Sequence, residues 1–110
     1  MKTPLRITFQ GLDPSPALEE RIRRKAAKLE RFCDRITSCH VVVERPPAHK
    51  QHGGTYHVRI HLEVPGGRLD VAREPGRDQA HEDVYVALRD AFDRAARMLD
   101  ARHARRHEAG

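Results

Sequence analysis

Over the first strand-length of the chain, apolar and polar positions alternate. Leu5, Ile7 and Phe9 fall on one side and Arg6, Thr8 and Gln10 on the other, which predicts a half-buried strand over Leu5–Gln10. From Ser15 the period changes. Leu18, Ile22, Ala26, Leu29 and Cys33 follow at steps of three and four, so the stretch from Ser15 to Ile36 reads as an amphipathic helix with one core-facing stripe. Ser15 is a good N-cap, Pro16 suits a first helical position that needs no amide hydrogen, and Glu19 and Glu20 lie near the positive end of the helix dipole.

Alternation returns with Cys39, Val41 and Val43 against His40, Val42 and Glu44, a second strand closed by Pro46-Pro47. A strand, a helix and a strand in some forty residues form a βαβ unit, whose two strands are expected to be parallel with a right-handed crossover. The polar loop from Pro46 to Gly54, with two prolines, two glycines and two histidines, is expected to be mobile. Tyr56, Val58, Ile60, Leu62 and Val64 then alternate with His57, Arg59, His61 and Glu63 to give the clearest strand of the chain. Pro65-Gly66-Gly67 reads as a tight hairpin turn into a fourth strand from Arg68 to Arg73.

After a second loop, Glu74 to Ala80, a last helix is expected from about Glu82 to His103. Its stripe is Val84, Leu88, Ala91, Phe92, Ala95 and Leu99, with Arg89, Arg94, Arg97 and Arg102 lying off it. The fold class is therefore α+β in the order β-α-β-β-β-α. Each strand has one apolar face and each helix one apolar stripe, so both helices are expected to pack on one face of a four-stranded mixed sheet. That arrangement makes residues 1–106 a single domain and leaves 107–110 as a frayed tail.

Charge sharpens this picture. The chain has 110 residues and a formal charge of +5, and 34% of its residues are charged, which suits a folded domain with a cationic skin. Of 21 basic residues, 17 are Arg, whose planar fork grips phosphate in two places; the complete absence of Asn points to a general compositional bias and weakens that signal. The N-terminus, MKTPLRITFQ, has no apolar signal core and no run is long enough to span a membrane, so a cytoplasmic protein with reduced Cys33 and Cys39 is expected.

If the helices lie side by side, Arg24, Lys25, Lys28 and Arg31 from the first and Arg89, Arg94, Arg97 and Arg102 from the second can form one cationic groove for nucleic-acid phosphates. The competing reading is that Asp90, Asp93 and Asp100 neutralise the second helix. Two clusters on adjacent helices favour the nucleic-acid reading. His40, His57 and His61 on the open sheet face are the only weak metal candidates, with no Cys or carboxylate at a diagnostic spacing. Phe9 and Tyr56 point inward on this assignment, so the sheet face lacks the aromatics that a sheet-face RNA binder stacks bases on. No catalytic constellation, cofactor motif or small-molecule site is visible, so no enzyme activity is expected.

The residues themselves resemble a known family. Ala17-Leu18, Lys25, Ala27-Lys28-Leu29-Glu30, Asp34-Arg35-Ile36, Asp83-Val84-Tyr85, Asp93-Arg94, Arg97 and Leu99 are similar to the short ribosome hibernation-promoting factors, also called ribosome-associated inhibitors or sigma-54 modulation proteins. The resemblance spans nearly the whole chain. It implies a non-enzymatic factor that binds the small ribosomal subunit and its ribosomal RNA in the channel between head and body, where messenger RNA and transfer-RNA anticodon ends lie. It also implies that occupancy blocks translation and protects idle ribosomes under stress.

The basic residues that match the family's RNA contacts are Lys25, Lys28, Arg94, Arg97 and Arg102; Arg24 joins them as an exposed neighbour on the same helix. The loop GRDQAHE before the last helix and the stretch from Pro46 to Gly54 depart from the pattern, so no contact is carried over to either. Without the second domain of long members, inactive single ribosomes are expected rather than self-sufficient pairing. Two other readings stand beside this one: a general double-stranded RNA-binding domain, and a metal-binding protein using the histidine face. The oligomeric state is left open.

Overall fold

The computed structural model describes residues 4–32, 35–45, 56–73 and 83–109. Its elements are β1 (Leu5–Gln10), α1 (Pro16–Leu29), β2 (Ser38–Glu44), β3 (His57–Val64), β4 (Gly67–Arg73) and α2 (Val84–Ala109). The four strands lie in the order β1-β2-β3-β4. β1 runs parallel to β2, with Leu5 opposite Cys39 and Phe9 opposite Val43. The β2–β3 and β3–β4 pairs are antiparallel. The sheet is mixed, as the βαβ unit followed by a meander requires.

Both helices cover the same face. The stripe of α1 (Leu18, Ile22, Ala26, Leu29) and that of α2 (Ala87, Leu88, Ala91, Phe92, Ala95, Leu99) join Val41, Val43, Val58, Ile60, Leu62 and Val71 in one core. Ile22, Ile60, Leu62, Leu88 and Leu99 are among its largest fully buried side chains. Sealing a side chain of this size from water is worth about 1.5–3 kcal/mol. α1 lies over β1 and against α2, while α2 lies over β3 and β4.

The start of α1 follows the cap chemistry. The Ser15 hydroxyl accepts from the Leu18 backbone N–H at 3.2 Å, and Pro16 occupies the first turn. Its end differs from the expected one. The helix closes at Leu29, and Arg31 N–H and Phe32 N–H bond back three residues to the Lys28 and Leu29 carbonyls at 3.1 and 2.9 Å. These tighter turns unwind the chain so that Ile36, not a further helical turn, reaches the core. Arg31 therefore lies just past the helix, and Phe32 is exposed. Cys33, read as the next core position, lies outside the described residues, as do both loops, 46–54 and 74–80.

The hairpin turn is two residues long, because Val64 pairs with Gly67. Pro65 fixes the first φ and Gly66 takes φ +83, the pairing of proline and left-handed glycine that a type II turn uses. Asp83 caps α2: its carboxylate accepts from the Tyr85 N–H at 2.9 Å, and its carbonyl accepts from Val86 and Ala87. At the other end α2 passes the expected stop at His103 and stays helical to Ala109, so most of the stretch read as a tail is helix.

Candidate nucleic-acid interface

On α1, Arg21, Arg24, Lys25 and Lys28 are spaced so that they stack on one flank of the buried stripe. Glu19 and Arg23 fall on the opposite flank, where Arg23 Nη2 donates to Glu19 Oε1 at 3.5 Å. The cationic flank is the one that meets α2, because the Arg21 guanidinium lies 4.9 Å from the centre of the Tyr85 ring in the first turn of α2. The positive charge of α1 therefore gathers along the seam between the helices.

Within that flank the side chains differ in readiness. Arg24 Nε donates to Glu20 Oε1 at 3.2 Å, an exposed i,i+4 pair. A pair of this kind is worth about 0.3–0.5 kcal/mol and yields readily to a phosphate. Lys25 is half-buried beside the core stripe, while Lys28 and Arg31 are exposed and form no ion pair among the described residues. Arg31 adds its charge from the turn beyond the helix.

α2 contributes less uniformly. Arg89, one turn on from Tyr85, is on the seam side but donates from Nε and Nη2 to Asp90 Oδ1, each at 3.3 Å. Arg97 stands on the outer crest of the helix, and Arg94 lies beyond it, away from α1. Both are exposed and without an ion pair among the described residues, and the same holds for Asp93 and Asp100. Asp90 alone thus neutralises Arg89. Asp93, one turn on from Arg89, and Asp100 leave negative charge on the seam side of the crest, while Arg97 on the crest and Arg94 beyond it are left unpaired among the described residues.

Arg102 has another task. Its Nη2 donates to the Pro65 carbonyl at 2.8 Å, half-buried beneath the β3–β4 turn and beside Gly67. That bond fastens α2 to the hairpin and separates Arg102 from the other seven cations.

The open sheet face carries a second polar group. Arg6, His40, His61 and Asp70 face one another in register across all four strands. Thr8 Oγ1 and His40 Nε2 are 2.8 Å apart, the His40 and His61 rings are 6.0 Å apart, and His61 Nδ1 is 2.6 Å from Asp70 Oδ1. Arg68 Nε also donates to Asp70, at 3.3 Å. Burial, followed by the charges of Arg6, His61 and Arg59, lowers the His40 pKa. The hydrogen bond from His61 leads the effects that hold Asp70 below the usual carboxylate range.

This row does not make a metal centre. His57 pairs with Glu44, four residues along β3 from His61, so the three candidate histidines do not converge. Among the described residues no group of three potential metal-binding side chains comes together.

Three features escaped sequence reasoning. The Arg21–Tyr85 contact and the Arg45–Tyr56 contact (5.4 Å) join residues far apart in the chain, and spacing within one helix says nothing of them. The fastening role of Arg102 is equally tertiary.

A family model described as sigma 54 modulation protein / S30EA ribosomal protein matches residues 5–107. The chain is 30% identical over 95 residues to the ribosome hibernation promoting factors of Escherichia coli (strain K12) and Klebsiella oxytoca, covering 86% of this chain and 87% of each relative. Two solved structures share its architecture. One is a ribosomal subunit interface protein from Coxiella burnetii, with a TM-score of 0.73 at 23% identity over 93% of this chain and 99% of that one. The other is the N-terminal domain of Thermus thermophilus Protein Y, with a TM-score of 0.69 at 22% identity over 92% and 98%. At such identities the two structures speak to fold alone.

Proposed function

The chain belongs to the sigma 54 modulation protein / S30EA ribosomal protein family, whose members are non-enzymatic ribosome-associated factors, and from that premise we propose that it is a hibernation factor acting on the small ribosomal subunit. In this reading it occupies the channel between head and body, where messenger RNA and transfer-RNA anticodon ends lie, and inhibits translation by filling that space. Its place of action is the cytoplasm; no helix among the described residues is long and apolar enough to cross a membrane.

The observation that carries the reading is the segregation of charge on α1. Arg21, Arg24, Lys25 and Lys28 share the flank that borders α2, where Glu20 offsets Arg24 alone, whereas on the opposite flank Arg23 is matched by Glu19. A solvated helix with no partner has no reason to sort its charges in this way. Arg24, Lys25 and Lys28, with Arg31 from the turn, are the phosphate contacts of α1. Arg97 and Arg94 extend them over the crest of α2, and Arg89 joins when Asp90 releases it. Contacts of this type orient the protein on a folded RNA without reading sequence. Shape and steric exclusion supply the effect.

The test is sedimentation of the protein with isolated small subunits, whole ribosomes and a generic RNA duplex at two salt concentrations. Stoichiometric binding to the small subunit that persists at physiological salt, and its loss in a Lys28→Glu/Arg94→Glu/Arg97→Glu variant with an unchanged circular-dichroism spectrum, is expected. Equal, salt-labile binding to all three RNAs would reduce the protein to a general duplex binder, and unchanged co-sedimentation of the triple variant would refute the helix surface.

A further inference from the structure

Among the described residues two large hydrophobic side chains are exposed, Phe32 at 39% and Tyr85 at 37%. Phe32 lies in the turn after α1. Tyr85 is the informative one, because it stands in the cationic seam. It is off the apolar stripe of α2, which is complete without it, so the core does not require an aromatic there. Its backbone is fixed by the Asp83 cap, and its ring is flanked by the Arg21 guanidinium at 4.9 Å. Along the same flank of α1 follow Arg24, Lys25 and Lys28.

We propose that Tyr85, backed by Arg21, is a stacking platform for one unpaired base of the RNA whose phosphates lie along the α1 flank. The proposal rests on the functional reading above and adds a base contact to it. An aromatic ring stacks on any base, and a guanidinium beside it adds cation–π attraction and a phosphate-binding fork. The pair thus selects RNA with a splayed or single-stranded nucleotide over a continuous duplex, in which every base face is already stacked. Among the described residues the open sheet face presents no Phe, Tyr or Trp, and the rings of His40 and His61 there are engaged with Thr8 and Asp70. The competing role for Tyr85, locking α2 to α1 through Arg21 alone, requires no RNA.

The chain provides its own reporter, since it has two tyrosines and no tryptophan. In a Tyr56→Phe background, emission comes from Tyr85 alone. Titration with a single-stranded oligouridylate is expected to quench that emission to saturation, whereas a blunt RNA duplex leaves it nearly unchanged. In small-subunit sedimentation, Tyr85→Leu is expected to bind roughly tenfold more weakly, with Tyr85→Phe and Tyr85→Trp retaining wild-type affinity because each keeps a stacking face. Absence of quenching by the single strand, or wild-type affinity in Tyr85→Leu, would overturn the proposal. Because Phe and Trp also keep a ring for the Arg21 guanidinium, it is quenching by the single strand, and not the rescue, that separates base stacking from the α1–α2 lock. Failure of the wild-type protein to bind small subunits would refute the ribosomal reading, and the quenching titration with free RNA would still decide the role of Tyr85.

Discussion

Gly11 turns the chain at the end of β1 with φ +79, and the Arg45 backbone carbonyl passes where a side chain would stand. Both the backbone angle and the space demand glycine there. Gly11→Ala is expected to cost more than about 2 kcal/mol in urea unfolding, because neither a carbonyl nor a φ constraint can relax cheaply. Arg102→Ala, which removes the bond to the Pro65 carbonyl, is expected to cost about 1 kcal/mol. Its small-subunit affinity should stay within severalfold of wild type, whereas a direct phosphate contact would show its loss mainly in binding. Cys39 is buried, and burial pushes its thiol up to about 11. It should resist alkylation at neutral pH in the native protein and react once the chain is unfolded, as peptide mapping would show. At this scale the sequence shows which residues are polar and outward, but not what they touch. Arg102 follows Leu99 by three residues and Ala95 by seven, so it continues the buried side of α2 where Arg94 and Arg97 leave it; that spacing sets it apart, and only its partner, the Pro65 carbonyl, needs the folded hairpin to be seen.

The elements themselves were the most legible part. β1 spans the residues that alternate, and β2 to β4 and both helices follow their own periodicities, because one buried face per element leaves a clear trace in a small domain. Ends were harder to read. α1 stops without Gly or Pro, through 3₁₀ turns that bring Ile36 inward, and α2 continues because nothing in its last turns breaks a helix. The polar row across the sheet has its own signature in pH. The fold lowers the His40 pKa from 6.5, so His40 favours folding while neutral, above pH 6.5, and that contribution is lost as the pH falls through the lowered value. Asp70 is also lowered, from 3.8; its contribution is present above that pH and is lost on further acidification. The two effects share a sign, so the melting temperature should fall in two stages on acidification. His40→Gln should flatten the upper stage and Asp70→Asn the lower, and a profile unaffected by either change would show that the row is electrostatically idle.

On the scale of the molecule, the sequence shows an excess of positive charge and helices that carry it, but not which helix flanks adjoin. That depends on how two stripes settle on one sheet, and it is the Arg21–Tyr85 contact that turns the basic side of α1 toward α2. The expected groove of eight cations becomes a line from Arg24, Lys25 and Lys28 over the crest of α2 to Arg97 and Arg94, with Arg31 flanking it, Arg89 held by Asp90 and Arg102 assigned to the hairpin. The central claim is that this flank, rather than net charge, holds the protein on the small subunit. Lys28→Glu and Arg23→Glu test it most directly, since they make the same change in charge on opposite flanks of one helix. Measured by co-sedimentation with small subunits at physiological salt, Lys28→Glu is expected to lose most of its binding and Arg23→Glu to keep it. Equal losses in the two variants would contradict the account and leave only non-specific attraction between a basic protein and RNA.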